Sequence, residues 1–125
     1  MTTQEVANQV IELFRQGKFE EAHDQFYSDD IVSIEAEGSP MPVAKGRAAI
    51  AEKGRKFEDS MEAIHSMITS DPLVAENFFS CTMKMNMTPK GAPGPVQMDE
   101  VCVFEVRDGK IVKEQFFYTP APQPA

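Results

Sequence analysis

The stretch Met98–Thr119, MDEVCVFEVRDGKIVKEQFFYT, alternates apolar and polar residues on both sides of Arg107-Asp108-Gly109. That period belongs to a half-buried strand, a tight turn and a second strand. Met98, Cys102, Phe104 and Val106 make the apolar face of the first strand, and Glu100 interrupts it. Val112, Phe116 and Tyr118 make that of the second, and Glu114 interrupts it. A carboxylate on an apolar face costs free energy unless it is paired, hydrogen-bonded or protonated. Two of them point either to a pocket wall or to a sheet rim that reaches water.

The turn decides whether they share a face. A two-residue Asp108-Gly109 turn sets Glu100 beside Phe117 and sends Glu114 to the other side. A three-residue loop closed by Gly109 sets Glu100 beside Phe116 and Cys102 beside Glu114. Because a one-residue slip flips every side chain, the hydrophobic pattern selects the three-residue loop. The two glutamates then become diagonal neighbours, roughly 7 Å apart.

The rest of the chain frames this hairpin. Thr2 and Glu5 have capping-box spacing, and Val6, Val10, Leu13 and Phe14 follow at helical period, predicting a helix over 3–16 that Gly17 ends. A second helix is expected over 19–26, stopped by Ser28-Asp29-Asp30, then a short strand over 31–35 and a loop over 37–42. A third helix is expected over 46–60, with Ile50, Gly54 and Phe57 on one side and Gly54 allowing close packing on the sheet. Strands follow over 61–70 and 73–87, the second with Phe79, Cys81, Met83, Met85 and Met87 on one face. The Pro/Gly-rich segment 88–95 is a loop. Helices first and then antiparallel strands make an α+β domain, with the helices on one face of a curved sheet.

The chain of 125 residues is read as one domain over 1–119 with a flexible Pro-rich tail over 120–125. Its net charge of −8 argues against nucleic acid and anionic membrane surfaces as partners. No apolar run approaches the roughly 18 residues that cross a membrane, and no signal peptide is evident, so a cytoplasmic protein is expected. Cys81 and Cys102 fall in expected strands and read as free buried thiols. No GxGxxG or P-loop suggests a nucleotide cofactor, and no HxH, HxxxH or HExxH spacing suggests a metal; none of either is expected.

Three segments carry a family resemblance: Phe26-Tyr27-Ser28-Asp29-Asp30-Ile31-Val32, Lys45-Gly46-Arg47-Ala48-Ala49-Ile50 and Arg107-Asp108-Gly109-Lys110-Ile111. In this order and spacing the chain, over about residues 4–118, resembles the SnoaL-like polyketide cyclase and ketosteroid isomerase group of the nuclear-transport-factor-two-like superfamily. The resemblance implies a cone-shaped, cystatin-like fold: three N-terminal helices packed on a curved, mainly antiparallel sheet around an apolar pocket. It places Glu35 where ketosteroid isomerases carry their catalytic base. It places Val10 and Cys102 where those enzymes carry an oxyanion-binding tyrosine and aspartic acid, so steroid isomerisation by that route is not expected.

The expected catalytic residues are Glu35 as base with Glu100 or Tyr118 as proton donor. Phe14, His65, Met83, Cys102, Glu114 and Phe116 are expected to line the pocket, His65 also having a purely structural reading. The function this implies is proton transfer on a small, apolar carbonyl compound, or else non-catalytic binding of one or a dimeric assembly role. Relatives commonly pair through the outer sheet face. Val101, Val103 and Phe117 lie on that face here, so a homodimer is expected.

Overall fold

The computed structural model describes residues 1–39 and 41–119. Among these described residues three helices, α1 (Thr3–Arg15), α2 (Phe19–Phe26) and α3 (Arg47–Asp59), accompany seven strands: β1 (Tyr27–Ile34), β2 (Val43–Lys45), β3 (Met61–Thr69), β4 (Leu73–Ala75), β5 (Phe78–Pro89), β6 (Val96–Arg107) and β7 (Lys110–Phe117). The sheet runs β2-β1-β7-β6-β5-β3, and β4 also pairs with β5. Only β1 and β7 are parallel, so the α+β architecture and the mainly antiparallel sheet are as expected. The expected tail over 120–125 lies outside the described residues. No described helix is long and apolar enough to cross a membrane.

The capping box is formed. Thr2 Oγ1 accepts from the Glu5 amide at 3.1 Å, and Glu5 Oε1 accepts from the Thr2 amide at 3.0 Å. Thr2→Ala should therefore lower stability by about 1 kcal/mol in urea denaturation. Helix α1 buries Val6, Val10, Ile11 and Phe14 against the inner sheet face. Phe14 stacks on Phe19 with ring centroids 5.0 Å apart, and Phe79 stacks on Phe104 at 4.6 Å. All five residues of the Phe79-to-Met87 stripe are buried.

Several local expectations need correction. Ser28-Asp29-Asp30 does not separate α2 from the strand, because β1 starts at Tyr27. A register shift against β7 between Tyr27 and Val32 accommodates the polar triplet, leaving both aspartates exposed and Ile31 buried. The loop before α3 contains β2, antiparallel to β1. The expected strand over 73–87 is two strands, folded back at Glu76-Asn77, where Glu76 takes a φ of 55°. Gly54 packs against nothing: a Cβ there would meet no atom within 4 Å.

The hairpin that frames the glutamates also has a different register. Asp108 and Gly109 both have positive φ, 50° and 77°, and Arg107 pairs with Lys110: a two-residue turn. One step on, the register shifts between Val106, opposite Ile111, and Glu105, opposite Lys113. Val112 is the extra residue, so Ile111 rather than Val112 enters the core. The bulge restores the parity that a two-residue turn alone would have reversed. Glu100 and Glu114 therefore do share the inner face, but Cys102 opposes Phe116 and Phe104 opposes Glu114. The glutamates are not diagonal neighbours: four residues of strand, about 13 Å, lie between Glu100 and the Phe104–Glu114 pair.

Candidate functional site

Ile31 and Ser33 on the inner face of β1, and Glu35 one residue past its end, alternate along the chain. Ser33 is fully buried and stands beside Glu114 in the parallel β1–β7 ladder. Its hydroxyl donates to Glu114 Oε1 at 2.8 Å. Glu114, 3% exposed, also accepts from the Tyr27 hydroxyl. Burial raises the Glu114 pKa, while the Tyr27 bond, the charge of Lys53 and the Ser33 bond oppose the rise. Burial likewise holds the Tyr27 phenol well above its usual range, with the Glu114 charge adding to it. Tyr27 is thus a permanent donor.

Lys53 reaches this group from α3, one helical turn after Ile50 and one before Phe57. Its ammonium donates to Ser33 Oγ at 2.6 Å and to Glu35 Oε1 at 2.8 Å, and lies 5.0 Å from the centre of the Phe116 ring. Tyr118 donates to the other Glu35 oxygen, Oε2, at 3.3 Å. A continuous chain of bonds therefore runs Tyr27–Glu114–Ser33–Lys53–Glu35–Tyr118, from the buried core to a half-buried tyrosine. Burial raises the Tyr118 pKa first and the Glu35 charge second, keeping its proton in place at neutral pH.

Glu100 stands apart from that chain. It is 9% exposed, and its hydrogen bond to the protein is a thiol contact, Cys102 Sγ to Oε1 at 3.6 Å. Burial, then the charge of Glu35, pushes its pKa up to about 7, against only weak support from Cys102. Three inward carboxylates share one ammonium, and burial raises the pKa of both Glu100 and Glu114, that of Glu100 to about 7. On the outer sheet face an open groove of about 440 Å³ borders its strand position, lined by Thr82, Lys84, Val101 and Phe117 and bordered by Tyr118.

The structure thus brings Glu35 and Tyr118 into contact, with Phe116 beneath Lys53 and Glu114 joined through Ser33. Met83 opposes Glu100 across β5 and β6, and Cys102 touches it. Phe14 is a core residue stacked on Phe19. His65 does not join the group. A register shift in β3 between Ile64 and Ser66 turns it out, where Nε2 meets Thr88 Oγ1 at 2.8 Å in an exposed position. Among the described residues no set of three His, Cys, Asp or Glu side chains is placed to hold a metal ion.

Tyr27, Ser33 and Lys53 are the members that sequence reasoning missed. Lys53 did carry a signal: Ile50, Lys53 and Phe57 recur at helical spacing, so the lysine shares the inward face.

The SnoaL-like domain family model matches residues 1–118. The chain is similar to a candidate SnoaL-like polyketide cyclase, also labelled a carbohydrate phosphatase, from Mesorhizobium loti. That match has 36% identity and a TM-score of 0.89 over 94% of this chain and 100% of that one. An NTF2-like protein from Burkholderia thailandensis is 13% identical, with a TM-score of 0.82 over 95% of this chain and 92% of its own. A Catenulispora acidiphila protein of ketosteroid isomerase-like fold, solved in complex with trimethylamine, is 18% identical. Its TM-score is 0.72 over 92% of this chain and 85% of its own. At these lower identities the likeness is one of fold. No curated protein matches the chain.

Proposed function

Because this chain belongs to the SnoaL-like domain family, of nuclear-transport-factor-two-like fold, we propose that it transfers protons on a small, largely apolar carbonyl compound, as an isomerase or cyclase does. One observation carries this reading. Glu100 is a buried carboxyl poised at about 7, with a thiol as its one hydrogen-bond partner among the described residues, at the edge of a groove. A group poised near the working pH is an efficient proton acceptor and donor.

The roles divide by geometry. Both oxygens of Glu35 are engaged, one by Lys53 and one by Tyr118, so the base role expected of Glu35 passes to Glu100. Glu35 holds Tyr118 at the rim. The 3.3 Å bond between them is long, and Tyr118 can exchange it for a bond to an oxygen that becomes negative as Glu100 takes the α-proton. Met83, which opposes Glu100, and Phe116, which opposes Cys102, give the apolar surface for the substrate's ring on the face that Glu100 shares.

The test is solvent-deuterium exchange at the α-carbon of a panel of cyclic ketones such as 2-tetralone, read by mass spectrometry. The wild-type protein should accelerate exchange above buffer, and Glu100→Gln should remove the acceleration. Exchange that survives Glu100→Gln overturns the assignment. A second reading, non-catalytic binding, is favoured by the mutual satisfaction of Tyr27, Ser33, Lys53, Glu35 and Glu114, which leaves those groups little to do in a reaction. It predicts saturable thermal stabilisation by a ketone with no exchange at all.

A homodimer through the outer sheet face belongs to the same proposal. Ile68, Phe78, Val101 and Phe117 are 65%, 45%, 44% and 50% exposed there. Lys84 lies opposite Asp99 and Lys113 opposite Glu105, so both signs of charge are offered to a two-fold-related copy. A partner seated there would also wall the groove from outside. Sedimentation at micromolar concentration should give the dimer mass, and Phe117→Lys should give the monomer.

A further inference from the structure

We propose that Cys81 and Cys102 form a redox-modifiable pair, which a hydroperoxide oxidises to a cross-strand disulfide that takes away the thiol donor of Glu100. The functional consequence rests on the acid–base role given to Glu100 above; the disulfide itself does not.

The geometry is set by the ladder. Cys81 in β5 and Cys102 in β6 are direct partners, both free and both buried on the inner face. Directly opposed residues of an antiparallel pair have Cα atoms about 4.5–5.5 Å apart. A disulfide requires about 4.4–6.8 Å, so the bond closes without moving a strand. The sulfurs already act on one another. The proximity of the two thiols lowers the Cys81 pKa and pushes that of Cys102 up. Cys81 is therefore the thiolate-forming partner, and it is also the one with an edge to solvent, 4% exposed against 0% for Cys102.

The chemistry balances with a hydroperoxide as oxidant. The Cys81 thiolate attacks one oxygen of hydrogen peroxide, the O–O bond breaks, and the departing hydroxide is protonated to water. The resulting sulfenic acid is attacked at sulfur by Cys102, which gives up its proton as a second water leaves. Two thiols are oxidised and one peroxide is reduced. Cys102 then has no S–H to offer Glu100 Oε1, now 3.6 Å away. The other groups that act on Glu100 stay in place, Glu35 and Glu114 disfavouring its charge and Lys53 favouring it. The charged form thus loses support, and the titration midpoint should move up.

The experiment treats the full chain with hydrogen peroxide, denatures and alkylates it, and measures intact mass. Loss of two hydrogen masses with no alkyl group added, reversed by dithiothreitol, is the expected result. Two alkylated cysteines, or a disulfide between chains, overturns the pair. Carboxyl ¹³C NMR of Glu100 reads the consequence without any substrate: the midpoint should climb by roughly half a pH unit on oxidation. A disulfide that leaves the midpoint unmoved overturns the coupling. Neither readout depends on ketone exchange, so failure of the proposed activity is distinguishable from failure here.

Discussion

Glu100→Gln should make the protein more stable at pH 8 by about 3 kcal/mol, yet leave it level with the wild type at pH 4.5 and below. The folded-state pKa of Glu100 is about 7, against an ordinary 4.5. Each pH unit of that gap corresponds to about 1.4 kcal/mol. The folded state binds the proton more tightly than the unfolded state. The carboxyl's contribution is therefore fully present below 4.5 and is lost as pH climbs through 7. Glutamine keeps the volume and a carbonyl oxygen for Cys102 but never ionises, so it escapes the loss. Urea denaturation of both proteins from pH 4.5 to 8 isolates this effect, because the raised pKa of Glu114 is common to both and cancels. Curves that stay parallel across the range would sink the claim that Glu100 is the strained acid. In the same variant ketone exchange should fall by about 10²- to 10⁴-fold, the usual worth of an acid–base group. Stability gained together with activity lost separates a functional carboxylate from a structural one.

How much of this was legible in the sequence depends on what each residue reports. Glu100 and Glu114 announced themselves by breaking an apolar alternation, and their shared face was inferred correctly, though through a different turn. No residue type marks a bulge of this kind. Val112 looks as good a core residue as Ile111, and only the fit against β6 selects between them. His65 is turned outward for the same reason: its alternation with Ala63 and Met67 is broken by a register shift that the partner strand imposes. Glu35 and Tyr118 were both expected at the site, but their direct contact joins residues from β1's end and β7's end, a tertiary fact. Lys53 was hidden by type. A lysine on a helix is ordinarily a solvated charge, and nothing local shows that a glutamate and a serine from other elements will bind it.

That lysine carries the other large effect. Lys53→Met retains most of the aliphatic stem against Phe116 and removes the ammonium. Ser33 Oγ and Glu35 Oε1 then lose their cationic donor, and Glu35, Glu100 and Glu114 lose the positive charge among them. The Lys53 and Glu35 side chains are only 20% and 17% exposed, so water replaces the lost partner poorly. The cost should be about 3 kcal/mol at pH 8, the lower end for breaking a buried ion pair. It should also depend on pH in a definite sense. The Lys53 charge lowers the pKa of both Glu100 and Glu114, so its removal raises both further in the folded state. The deficit is then largest where those carboxyls must be charged, and it shrinks as pH falls towards 5 and they take up protons. Adding Glu35→Gln to Lys53→Met should recover more than half of the loss, because the stranded charge goes with it. The two single changes should therefore be far from additive. Strict additivity in that cycle, or a Lys53→Met protein as stable as wild type at pH 8, would show that water rather than Lys53 compensates the carboxylates. The chain of bonds from Tyr27 to Tyr118 would then be an ordinary rim.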